Sequence, residues 1–135
     1  MSIQTKEEIL ATRGRIGIQL SDGSVLSVYH HYDSYESWLG RILRTHFNSK
    51  DKASELIDGG DMSCCWTKHG PEYYSARGED CPPRLDSTLA EFLDKDNNEE
   101  YAYVWKNNEW IACCMNQFNE KDPEVVTIPS GALLV

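Results

Sequence analysis

The chain has 135 residues, 40% of them hydrophobic, with four Trp, seven Tyr and three Phe, which fits one domain with its own core and excludes a disordered chain. A formal net charge of −9 excludes nucleic-acid binding through the overall field. No apolar run approaches the roughly 18 residues of a membrane span.

Thr5-Lys-Glu-Glu8 reads as a capping box before Ile9 and Leu10. It starts a short helix or a loose leader over 1–11. Ile16, Ile18 and Leu20 alternate as a strand, Asp22-Gly23 turns the chain, and Val25 to His31 returns as the partner strand. Asp33 or Ser34 is placed to cap a helix from Tyr35 to Phe47, whose apolar positions are Tyr35, Leu39, Ile42, Leu43 and Phe47. Trp38, Arg41 and Thr45 share another stripe of it, with Arg44 near its edge. Gly40 costs about 1 kcal/mol against alanine in a helix interior, so another element or a ligand is expected to approach its backbone. Ser49 caps a second helix through Asp58 that Gly59 or Gly60 ends.

Met62 to Thr67 reads as a strand, His69-Gly-Pro71 as a turn, and Glu72 to Ala76 as a short strand ending at Arg77. Pro82-Pro83 breaks the chain before a third helix, capped by Asp86 or Ser87, with Leu85, Leu89, Phe92 and Leu93 on its face. Tyr101 to Trp105, Asn107-Asn108 and Trp110 to Met115 form the clearest late hairpin. The segment 116–135 is a tail with apolar Val125, Val126, Ile128, Leu133 and Leu134, suited to an edge strand or a partner. The expected fold is α+β over one domain, residues 1–135. An antiparallel sheet of hairpins carries two consecutive helices on one face and a third near the C-terminal hairpin.

The charge is uneven. Residues 1–84 hold twelve acids and ten bases, and residues 85–135 hold ten acids and three bases. All six arginines (Arg13, Arg15, Arg41, Arg44, Arg77 and Arg84) lie in the first part. A local arginine cluster still binds a small anion in an acidic protein, because the Debye length is only about 8 Å at physiological salt. The bland reading of the acidic part is a solvated face that keeps the protein soluble.

Met1 to Leu10 lacks the basic-then-apolar pattern of a secretory signal, and lipidation motifs are missing. The five cysteines (Cys64, Cys65, Cys81, Cys113 and Cys114) are odd in number and four are vicinal, so reduced thiols in a cytoplasm are expected. None of the cysteines or of His30, His31, His46 and His69 falls in a zinc-type spacing. No metal and no cofactor are expected. No cysteine sits in a nucleophile signature, and no phosphate loop is present. No catalytic residue is therefore assigned.

Arginine grips phosphate bidentately and aromatic rings stack on bases. Trp38 and Arg41 on one helical stripe, with Tyr73, Tyr74 and Arg77 at a strand end, supply both kinds of group. The same grouping is also common on ordinary surfaces and at dimer interfaces.

Four stretches resemble a family of small phage proteins. They are Thr12-Arg13 leading into Ile16-Gly-Ile18; Val28-Tyr-His-His-Tyr-Asp-Ser-Tyr35 followed by Gly40-Arg-Ile-Leu43; Lys52 to Ser63, with Glu55-Leu-Ile57 and Gly60-Asp61; and Tyr74-Ser-Ala-Arg-Gly-Glu79. The second is similar to a V-Y-C-H-W-D-G-Y motif, from which His30, Tyr32 and Ser34 depart. Ala76 also departs from the fourth stretch's pattern, and the segment from Ser63 to Tyr73 is short for the family. This wider group includes the phage Thoeris anti-defence sponges. The resemblance implies a non-catalytic homo-oligomer, dimeric or higher, that captures a cyclic ADP-ribose isomer in the host cytoplasm. Arg41 and Arg77 would then pair with phosphates, and Trp38 and Tyr74 would stack on a base or shape the pocket.

Two other readings stand beside it. One is an acidic inhibitor that binds a host protein, imitating nucleic acid. The other is a small thiol enzyme.

Overall fold

A computed structural model describes residues 12–66 and 70–132. The proposed capping box at Thr5 to Glu8 lies outside them, as do Thr67 and His69 of the predicted strand and turn and Leu133 and Leu134 of the tail. The fold is α+β, as expected: among the described residues, a mostly antiparallel eight-stranded sheet with three short α-helices.

The strands are β1 (Gly14–Gln19), β2 (Val25–His30), β3 (Met62–Trp66), β4 (Gly70–Tyr73), β5 (Arg84–Asp86), β6 (Tyr101–Lys106), β7 (Glu109–Cys114) and β8 (Glu124–Val126). Their order is β4-β3-β2-β1-β6-β7-β8, with β5 paired to β2. Both predicted hairpins form. Gly23 takes φ +90° in the first turn, and Asn107 and Asn108 take φ 53° and 62° in the second, the left-handed pair that a tight hairpin needs. The two hairpins join through parallel pairing of β1 with β6, and β2 pairs parallel with β3. Hairpin reading alone did not foresee either parallel pair or β5.

Three details correct the sequence reading. The first helix is two pieces, a π-helical turn (Glu36–Gly40) running into α1 (Arg41–His46), and neither Asp33 nor Ser34 caps it. The predicted strand 72–76 ends at Tyr73, and a 3-10 turn (Tyr74–Arg77) follows. The last helix, α3 (Leu89–Phe92), is capped by Thr88, which accepts from the Glu91 amide; Asp86 and Ser87 do not cap it. Ser49 caps α2 (Lys50–Asp58) as expected, accepting from the Lys52 amide at 3.1 Å.

Alternation along the strands makes two cores. On one face Ile16, Ile18, Val28, Tyr103, Trp105 and Trp110 pack against Leu39, Ile42, Leu43, Leu56 and Ile57 from the helices. On the other, Val25, Ala102, Val104, Cys113 and Met115 surround Phe92 of α3. No helix among the described residues is long and apolar enough to cross a membrane.

Gly60 fixes the connection that later serves the site. Its φ is +87°, and a Cβ there would lie 2.3 Å from the Cys81 carbonyl oxygen. Left-handed backbone and a clash with rigid backbone both penalise a side chain. Gly60→Ala is expected to cost about 2–3 kcal/mol in urea unfolding. Wild-type stability in that variant would contradict this packing.

Candidate functional site

The second face of the sheet is apolar only on the α3 side. Gly17 marks the boundary, since a Cβ there would meet Val25 at 2.8 Å and the Phe92 ring at 3.1 Å. Beyond it the same alternation places polar groups. Arg15 stands opposite Tyr29, and Arg84 opposite Ser27. Paired residues point to one face of a sheet. Arg15 Nε donates to Ser27 Oγ at 3.0 Å, and its Nη1 lies 3.5 Å from Glu99 Oε1. Arg15, Ser27 and Glu99 are all buried.

Half-exposed groups lie alongside them. The Arg13 amide donates to Glu100 Oε2 at 2.8 Å, and its guanidinium lies 3.7 Å from Oε1. Arg84 reaches Asp86 at 2.9 Å. Tyr29 and His31 share a hydrogen bond of 2.7 Å, and the His31 ring meets Tyr32 edge-on at 4.4 Å. Asp61 ties the 3-10 turn to this face. Its Oδ1 accepts from the Tyr29 amide at 2.8 Å, its carbonyl accepts from the Tyr74 amide at 3.1 Å, and its amide donates to the Cys81 carbonyl at 2.9 Å. In the turn, the Arg77 guanidinium sits 5.3 Å from the Tyr74 ring centroid, within cation–π range.

The electrostatics tie these groups together. Burial lowers Arg15, and the neighbouring Arg84 lowers it further. Burial raises Glu99, opposed by Arg15 and Arg84. The Tyr29 hydroxyl is raised by burial against the pull of Arg13, and Tyr74 is raised by burial against Arg77. Burial and then Arg13 lower His31. Arg13 thus acts on Tyr29 and Arg77 on Tyr74, while Arg15 and Arg84 act on each other and on Glu99; Arg13, Arg15 and Arg84 are each paired with a carboxylate. Arg77, beside Tyr74, is exposed.

Two of the four residues singled out from the sequence, Tyr74 and Arg77, belong here. The other two lie on the helical side of the sheet. Trp38 packs against the first core. Arg41 donates to the carbonyls of Gly131 and Ala132 at 3.3 and 3.2 Å. The close approach expected at Gly40 comes from another element, because Ile128 of the tail fills the space where a Cβ would stand. Sequence reasoning gave Arg13, Arg15, Arg84, Tyr29 and His31 no site role. Their signal was present: Arg15 alternates with the core residues of β1, with Arg13 just before the strand, and Ser27 and Tyr29 do so on β2, with His31 just after it. What was missing was Arg84, brought in by the unforeseen β5.

The buried thiols are poor nucleophiles. Burial pushes Cys64 and Cys65 up to about 12 and also raises Cys113. Cys81 is raised by desolvation and then by Asp61, Glu79 and Asp80. The thiolate is the reactive form. Among the described residues no group of three or more His, Cys, Asp or Glu is placed to hold a metal ion. Compared with known families, curated proteins and solved structures, the chain matches none.

Proposed function

We propose that this is a phage-type, non-enzymatic protein that captures a phosphate-bearing cyclic nucleotide of the cyclic ADP-ribose isomer class. It holds the ligand unchanged as a homo-oligomer in the host cytoplasm and so counters host defence. The observation that carries the reading is the pairing of exposed Arg77 with Tyr74, which Asp61 ties to Tyr29 and its neighbour Arg13. Guanidinium forks suit phosphate oxygens and tyrosine rings suit a base. The raised thiols support a binder over a thiol enzyme. Three acids of the acidic part, Asp86, Glu99 and Glu100, pair with Arg84, Arg15 and Arg13 and so belong to this face.

Calorimetric titration with cyclic ADP-ribose isomers tests this reading. Tyr74→Ala and Arg77→Gln are each expected to weaken affinity about 5- to 100-fold, in line with roughly 1–3 kcal/mol per stacked base and the strength of charge-assisted phosphate contacts. Unchanged affinity in both, with the fold intact, removes the ligand from this face.

A further inference from the structure

The helical side of the sheet holds a second pair of arginines with unusual partners. Arg41 and Arg44 lie three residues apart on α1, so they share one face. Arg44 donates to the Ile128 carbonyl at 3.0 Å, to the Pro129 carbonyl, and to Gly131 at 3.4 Å. Arg41 takes Gly131 and Ala132. Among the described residues neither arginine forms an ion pair. Among the described residues these two cations thus bond to neutral backbone oxygens of one short segment. That segment is exposed from Ser130 to Ala132 and is anchored by Ile128 against Gly40 and the first core. At its Ile128 end it borders an open groove of about 440 Å³, lined also by Arg44, Asn48, Trp110 and Val125 to Thr127.

A guanidinium bonds more strongly to an anionic oxygen than to a neutral carbonyl, and a phosphate offers the bidentate geometry that separate carbonyls only approximate. We propose that Arg41 and Arg44 form an oxyanion clamp for phosphate-class anions that the strap 128–132 covers, its carbonyls standing where anionic oxygens would sit. Strap and anion then exclude one another, and binding at the clamp frees the strap from α1. This clamp is separate from the Arg77–Tyr74 face.

Methyl NMR of Ile128 in the full chain tests it, with inorganic pyrophosphate as the probe and sodium chloride holding ionic strength constant. The Ile128 signals are expected to move saturably toward random-coil positions with pyrophosphate and to stay fixed with chloride alone. In Arg41→Gln/Arg44→Gln they should start near those positions and ignore the anion, while lysine at both sites restores only part of the response. Two results overturn the clamp. One is a wild-type strap that does not respond to pyrophosphate; the other is a response that persists undiminished in the double glutamine variant. Neither bears on nucleotide affinity at Tyr74 and Arg77, so the two proposals fail separately.

Discussion

Arg15→Met is expected to lower stability by about 3–5 kcal/mol at pH 7, because it leaves Glu99 buried without its ion-pair partner. The intact pair adds little net stability, since both partners are penalised by burial and the contact is a long 3.5 Å. Removing both charges should therefore be mild, and Arg15→Met/Glu99→Leu is expected to recover most of the loss. The variant also carries a pH signature. A carboxyl raised in the folded state loses stability as pH rises above its ordinary value, because the unfolded chain releases its proton first. Arg15→Met should thus come closer to wild type at pH 4 than at pH 8. A uniform deficit across that range, or a double variant as weak as the single one, would contradict the buried-pair account.

The second large effect is acid sensitivity from His30. The imidazole is fully buried and pushed down to about 3, by burial first and then by His31. Nε2 accepts from the Cys65 amide at 3.0 Å, which puts the proton on Nδ1, facing Ser34 Oγ at 2.8 Å. The folded pKa lies below the ordinary value near 6.5, so the unfolded chain gains its proton first as pH falls. Stability is complete above about 6.5 and is lost progressively toward 3, by roughly 3 kcal/mol at pH 4. His30→Gln keeps an acceptor for the Cys65 amide and does not titrate. Its decline between pH 7 and pH 4 should be shallower than wild type by about that amount in urea titrations. Parallel declines would mean that His30 is not a buried neutral group.

His30 and Ser34 also show what sequence reading can and cannot supply. Both depart from the motif that the chain resembles, and read singly each looked like a loss. They touch each other, and Gly14 leaves room for the pair, since a Cβ there would fall 2.8 Å from Ser34 Cβ. Contact between residues four apart across a strand end is not written in periodicity. The elements that were legible are those with strong local chemistry: Asp22-Gly23, Asn107-Asn108, the Ser49 cap and the alternating strands. The parallel pairing of β1 with β6 was not legible, because nothing in either strand records which neighbour it takes. The same holds for β5, three residues long, whose register alone sets Arg84 opposite Ser27.

The site was half legible for the same reason. Tyr74 and Arg77 are close in sequence and remain together. Trp38 and Arg41 follow a helical stripe, but that helix begins as a π-turn and lies under the tail. Tyr73 and Tyr74 were adjacent candidates, and the strand ends between them. Tyr73 turns to the first core and donates to the Leu56 carbonyl at 2.6 Å. Tyr74 stays at the turn with Arg77.

The measurement that tests the central claim most directly is to mix the purified protein with cyclic ADP-ribose isomers and cyclic di- and trinucleotides, wash, denature, and identify what is released. The account predicts one compound, chemically unchanged, at a fixed ratio to protein from wild type, and much less from the Tyr74→Ala and Arg77→Gln variants. Release of a processed product, or of nothing at all from a folded wild-type protein, would contradict it.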